Sequence, residues 1–199
     1  MKKRVIAGLV TTAALATTIF LVPFGNDKAT KFEQFQDVYA TTVDQFYDAT
    51  LTIEVKAGTD VVYEEVVVLE KNEDSCDYQI TTKELSDSLY GDLYDITTDA
   101  GEYTIEETLY YFAPTLNLKD SEIDNYKEAP LGTNEEQIEF VVTEKNINEG
   151  FGFEEEANVY GNVSFVATIE NDLVTYFSYS YSTKDGMVVT IKCLFVNQR

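Results

Sequence analysis

Period-two alternation, interrupted only by short turns, constrains this chain more than any other feature. It is clearest near the C-terminus, where Val163, Phe165, Ala167 and Ile169 share one face of a strand over residues 159–169. Glu170-Asn171-Asp172 then reads as a turn. The next run, residues 173–183, sets Phe177, Tyr179 and Tyr181 opposite Tyr176, Ser178 and Ser180. Lys184-Asp185-Gly186 is a hairpin turn of the Asp-Gly kind, and Val189, Ile191, Cys193 and Phe195 share a face of the closing strand. Turns this short return the chain antiparallel, because parallel neighbours need crossovers of a dozen or more residues.

The same period governs the segments upstream. Leu51, Ile53 and Val55 alternate with polar residues before a turn at 57–60, a β-branched strand covers 61–70, and Cys76, Tyr78 and Ile80 share a face of the next. Residues 94–98 and 103–112 read as a hairpin around Asp99-Ala100-Gly101. Residues 114–130 break the pattern with Asp120, Glu122, Asp124 and Glu128, and the expectation there is a short helix near 119–127. A strand resumes over 136–143 with Ile138, Phe140 and Val142 together, followed by a loop over 144–156 that ends in Glu154-Glu155-Glu156. One segment follows a different period: Phe32, Phe35, Val38, Tyr39, Val43, Phe46 and Tyr47 form the apolar stripe of a helix over 31–49. The fold expected is mainly β (α+β), a bent antiparallel meander of eight or nine strands. The sheet either curls as a half-open barrel around the N-terminal amphipathic helix or folds on itself as a sandwich.

Ahead of the helix the chain changes character. Lys2, Lys3 and Arg4 precede an apolar run of 20 residues at 5–24, with no acidic residue before Asp27. At 1.5 Å per residue that run can cross a bilayer core, and the cations on its N-terminal side keep that end in the cytoplasm. The layout is that of a signal peptide or signal anchor over 1–27 feeding one exported domain over 28–199. It places the domain outside the cytoplasm, either secreted or held at the cell membrane by this segment alone. No cysteine follows the run to carry a lipid.

Charge excludes several functions. The chain carries 36 acidic and 14 basic residues, and without Lys2, Lys3 and Arg4 the remainder holds 11 basic residues, a net charge of −25. Nucleic acid draws its affinity from Lys and Arg on phosphates, and anionic membrane surfaces repel the same surface. Cations and cationic peptides are the partners such a field favours. With no His, nucleophile pairs built on imidazole and the common zinc sites are absent. No cofactor motif is present, and the expectation is a protein without catalytic residues.

Taken in order, the helix at 32–47, the interruption at 114–130 and the closing strands at 159–196 resemble the LolA/LppX-type half-open barrels of the bacterial envelope. The resemblance implies a concave apolar cavity for an acyl chain or other amphiphile. A cystatin-like or NTF2-like helix-plus-sheet fold is the competing architecture. Phe165, Phe177, Tyr179, Tyr181 and Phe195 are the candidate cavity lining, with ordinary core as their alternative. The second functional expectation is an envelope or surface domain that binds a protein or cationic ligand through an acidic, Tyr-rich face.

Two smaller signals complete the reading. Asp95, Thr97 and Asp99 with Glu106 echo the spacing of a calcium loop, although Ala100 stands where the sharp turn needs Gly and a plain hairpin fits better. Cys76 and Cys193 fit no metal spacing; outside the cytoplasm they can form a disulfide or remain two buried thiols.

Overall fold

The computed structural model describes residues 30–73, 75–85, 94–104, 116–151 and 159–197. The N-terminal apolar run lies outside them, and among the described residues no helix is long and apolar enough to cross a membrane. The fold is mainly antiparallel β, an open curved sheet of nine strands with one helix packed on it.

That helix, α1 (Lys31–Gln45), starts at a capping box. The Thr30 hydroxyl accepts from the Glu33 N–H at 3.2 Å, and the Glu33 carboxylate accepts from the Thr30 N–H at 2.7 Å. Two backbone donors that a helix start leaves unsatisfied are thereby bonded. Phe32, Phe35, Tyr39 and Thr42 form its buried stripe. The helix ends four residues before the expected boundary. Phe46 is already extended, and the Tyr47 N–H donates to the Val196 carbonyl at 2.9 Å, so the sheet claims the backbone that a longer helix would use.

The strands are β1 (Asp48–Ala57), β2 (Asp60–Lys71), β3 (Ser75–Leu85), β4 (Tyr94–Thr104), β5 (Ile123–Pro130), β6 (Glu135–Val142), β7 (Val159–Glu170), β8 (Leu173–Thr183) and β9 (Met187–Val196). Their order across the sheet is β4-β3-β2-β1-β9-β8-β7-β6-β5. The first strand therefore lies against the last, in register from Asp48↔Val196 to Ala57↔Met187. Every other connection along the sheet joins sequence neighbours.

Three expectations are corrected. Residues 94–104 are one continuous strand and do not turn at Asp99-Ala100-Gly101. Gly101 serves close approach instead: the Tyr78 ring lies over it, and a Cβ there would stand 2.7 Å from the Tyr78 hydroxyl. The helix near 119–127 is a 3₁₀ turn at Asp120–Glu122 followed by β5, whose Ile123 pairs with Val142 of β6. A mostly polar segment can be a strand here because it lies at the rim, with only Ile123 turned fully inward. The loop after β6 begins with a 3₁₀ turn at Glu144–Asn146 and a short helix, α2 (Ile147–Phe151), which buries Ile147 and Phe151.

The disulfide between Cys76 and Cys193 is not formed; both are buried thiols. Their strands, β3 and β9, are separated by β2 and β1. Three strand spacings amount to about 14 Å along the sheet, against the roughly 4.4–6.8 Å between Cα atoms that a bridge requires.

A buried polar contact joins helix and sheet. The β7–β8 register shifts between Thr168 and Ile169, which leaves Thr175 as the extra residue of a bulge. Bulges take backbone groups out of the ladder. Next to this one, the Val174 N–H donates to the Thr42 hydroxyl of α1 at 2.8 Å, and the Val174 carbonyl accepts from the Asn197 side chain at 3.0 Å. The Thr42 hydroxyl in turn donates to the Val38 carbonyl at 2.9 Å.

Candidate functional site

The five candidate cavity residues do share the inner face. Phe165 and Phe177 are fully buried, and Tyr179, Tyr181 and Phe195 are nearly so. Four of these rings pack against other aromatic rings. Phe35 lies 6.0 Å from Phe165, Tyr39 5.8 Å from Phe177 and Phe46 5.7 Å from Phe195, centroid to centroid. Phe140 of β6 stacks on Phe165 at 4.7 Å, and Phe151 of α2 covers Tyr179 at 4.7 Å. Over β6 to β9 the concave face is a packed aromatic core in which α1 fills the hollow. Burial raises the phenols of Tyr39 and Tyr179 and the thiol of Cys193, all of which are neutral in this interior. The Tyr39 hydroxyl has no hydrogen-bond partner among the described residues.

The tyrosines of β8 divide between the two faces of the sheet. Tyr179 and Tyr181 point inward, and the outer face holds Tyr176, Ser178 and Ser180, with the Ser180 hydroxyl donating to the Val189 carbonyl at 3.0 Å.

Beyond α1 the inner face continues over β2, β3 and β4 with different chemistry. Residues paired directly across antiparallel strands project to the same side. From the buried row of Leu51 and Val67, the register carries that side to Ile80 and Asp99. One row along, Ile53 leads to Glu65, Thr82 and Thr97. In the next, Val55 leads to Tyr63, Glu84 and Asp95. Four carboxylates, a phenol and two threonine hydroxyls thus line a flank of the same concave face. Tyr63 donates to the Glu65 carboxylate at 2.6 Å, and burial followed by the Glu65 contact raises its phenol. Glu84 and Asp95 stand directly opposite each other, an arrangement that costs stability when both are charged. Lys83 projects from the other side, where its ammonium sits 4.2 Å over the Tyr94 ring.

Of the residues considered for a calcium loop, Asp95, Thr97 and Asp99 lie on this flank and Glu106 lies outside the described residues, as does Glu154-Glu155-Glu156. In an extended strand alternate residues are about 7 Å apart. Carboxylates spaced along a line cannot wrap one ion at the roughly 2.3–2.6 Å that calcium requires. Among the described residues no group of three or more His, Cys, Asp or Glu side chains could hold a metal ion.

Glu65, Thr82 and Glu84 were missed in the sequence although their signal was present. Continuing the period of Cys76, Tyr78 and Ile80 by two more steps reaches Thr82 and Glu84, and Glu65 interrupts the inward series Tyr63, Val67, Leu69.

No protein-family model matches this chain, and no curated protein does. Among solved structures, a redesigned β-barrel bound to DFHBI shares 11% identity over 77% of this chain and 97% of its own, with a TM-score of 0.19. A second redesigned β-barrel gives 10% identity over 77% and 93%, with a TM-score of 0.22. The N-terminal dehydratase of the difficidin assembly line gives 12% over 84% and 83%, with a TM-score of 0.18. Likenesses at this level carry no argument about function.

Proposed function

We propose that this chain is a non-catalytic binding module of the cell exterior, carried there by its N-terminal segment, which holds a cationic protein or peptide on the acidic flank of its sheet. One observation carries the reading: α1 fills the concave face over β6 to β9, whereas over β2 to β4 the same face presents Glu65, Glu84, Asp95 and Asp99. The filled half argues against the acyl-chain cavity that the half-barrel resemblance implies. The acidic half suits ammonium or guanidinium groups, in keeping with the net charge of −22.

The test is calorimetric titration with a Lys-rich peptide at low and physiological salt, against a Glu-rich peptide of equal length. Binding of the Lys-rich peptide alone, weakened at least tenfold by the triple substitution E84Q/D95N/D99N, is the expected result. Native mass spectrometry of detergent-free protein supplies the counter-test. A clean apo mass is expected, and a co-purified acyl lipid would return the function to lipid carriage.

A further inference from the structure

The sheet has two edges, and the structure treats them differently. The β5 edge is closed to further strands. Asn125 takes a positive φ of 57° where the β5–β6 register shifts between Asp124 and Lys127, and Pro130 ends the strand. Lys31 of α1 pairs with Glu128, and the Tyr126 hydroxyl donates to the Lys31 carbonyl at 3.1 Å. A bulge, a proline, a lysine and a covering element are the devices by which native sheets block edge pairing.

Among the described residues the β4 edge has none of these. Its 11 residues pair with β3 in unbroken register from Tyr94↔Leu85 to Thr104↔Ser75. It contains no proline, no bulge and no basic residue, and residues 94–102 are all exposed. Among the described residues no strand lies on its outer side. Over residues 94–102 this extended edge is about 31 Å long at 3.4 Å per residue, a template for another strand.

The side chains say what kind of strand fits. Asp95 and Asp99 flank Thr97 on the inner face, and on the outer face Ile96, 67% exposed, is followed by Thr98 and Ala100. A second copy of this chain would bring the same aspartates against these, and like charges directly opposed are unfavourable. Resting on the function proposed above, we infer that β4 receives an extended basic peptide as a tenth strand. Its Lys or Arg residues alternate with Thr or apolar residues, the cations meeting Asp95 and Asp99 and the others meeting Ile96 and Thr98.

One backbone contact identifies the groups involved. The Ala100 N–H donates to the Asp99 carboxylate at 2.9 Å. Amides two residues apart on a strand face the same side. The N–H groups of Ile96 and Thr98 therefore face outward with that of Ala100, and Asp99 covers one donor until an incoming carbonyl displaces it.

The experiment uses the full chain and two ten-residue peptides of identical composition, one alternating Lys with Thr and Val, the other with its lysines in one block. Expected is binding of the alternating peptide at least tenfold tighter than the block isomer, with exchange of the Ile96 and Thr98 amides slowed tenfold or more. Thr98→Pro removes an outward donor and leaves the β3 ladder intact, and it abolishes this preference. D95K/D99K transfers binding to an alternating Glu peptide, which supports the inference should the proline variant not fold. Equal binding of both isomers, or unchanged binding to Thr98→Pro, overturns strand addition while leaving the acidic flank as a cation site. No binding of either peptide overturns both readings. A dimer that Thr98→Pro dissociates would assign the edge to a second copy and overturn the basic partner.

Discussion

Replacing Thr42 by Val tests how the helix is held to the sheet. The two side chains have nearly the same shape, so packing is preserved while the hydroxyl disappears. Val38 keeps its helical hydrogen bond, but the Val174 N–H loses its acceptor at 2.8 Å in a position where Thr42 and Val174 are both fully buried. The bulge at Thr175 leaves no ladder partner to take over. A buried donor without an acceptor costs about 1–3 kcal/mol, so Thr42→Val is expected to lower stability by about 2 kcal/mol. Thr42→Ser keeps the acceptor and deletes one methyl group, at about 0.5–1.5 kcal/mol. Urea denaturation followed by circular dichroism measures both, with the slope against urea unchanged if only stability moves. A Thr42→Val loss below about 0.5 kcal/mol, or a Thr42→Ser loss as large as that of Thr42→Val, would refute the assignment.

Three further outcomes are expected. Tyr39→Phe removes a buried hydroxyl that has no hydrogen-bond partner among the described residues, so stability should hold or rise by about 1 kcal/mol; a loss above that would reveal an acceptor for the group. Burial pushes Tyr181 from its ordinary 10.0 up to about 12 and raises Tyr39, Tyr179 and Cys193 as well. Folded-state pKa values above the unfolded ones mean that stability is fully present well below pH 9.0, the ordinary pKa of the Cys193 thiol, and declines as pH rises through that value toward 12. Urea titrations at pH 8, 10 and 11 follow the decline, and a flat profile contradicts it. Under denaturing, non-reducing conditions a thiol reagent should titrate both Cys76 and Cys193, and the native protein should react slowly; no titratable thiol after denaturation would mean a bridge.

Much of the sheet was legible because alternation is a local property of side chains. The strands around Phe165, Phe177 and Ile191 follow their apolar period, and Lys184-Asp185-Gly186 turns where its Gly186, at a φ of 80°, requires. What stayed hidden depends on neighbours that are distant in sequence. Gly101 resembles a turn residue until Tyr78 of β3 is seen above it. Residues 123–130 look too polar for a strand until their place at the rim is known. The helix stripe ran on to Tyr47 because nothing local reveals that Val196 competes for its amide. That Phe165, Phe177, Tyr179, Tyr181 and Phe195 share a face was legible from alternation, but whether they line a cavity or a core turned on where α1 lies. The acidic flank went unread because Glu65 and Glu84 belong to no motif and gain meaning only from cross-strand register.

The pairing of β1 with β9 also sets an order of events as the chain is made. β1 can pair with β2, and β2 with β3, as soon as those segments emerge. The contact Asp48↔Val196, by contrast, joins residues nearly the whole domain apart. Such distant pairings are slow because a long loop must close before any contact forms. Until β9 arrives, β1 and β8 each present a bare edge, and Phe46 lacks the Phe195 ring it packs against. The last strand is thus the seam that makes one sheet of two hairpin stacks, and a chain emerging N-terminus first must wait for it with both stacks unfinished.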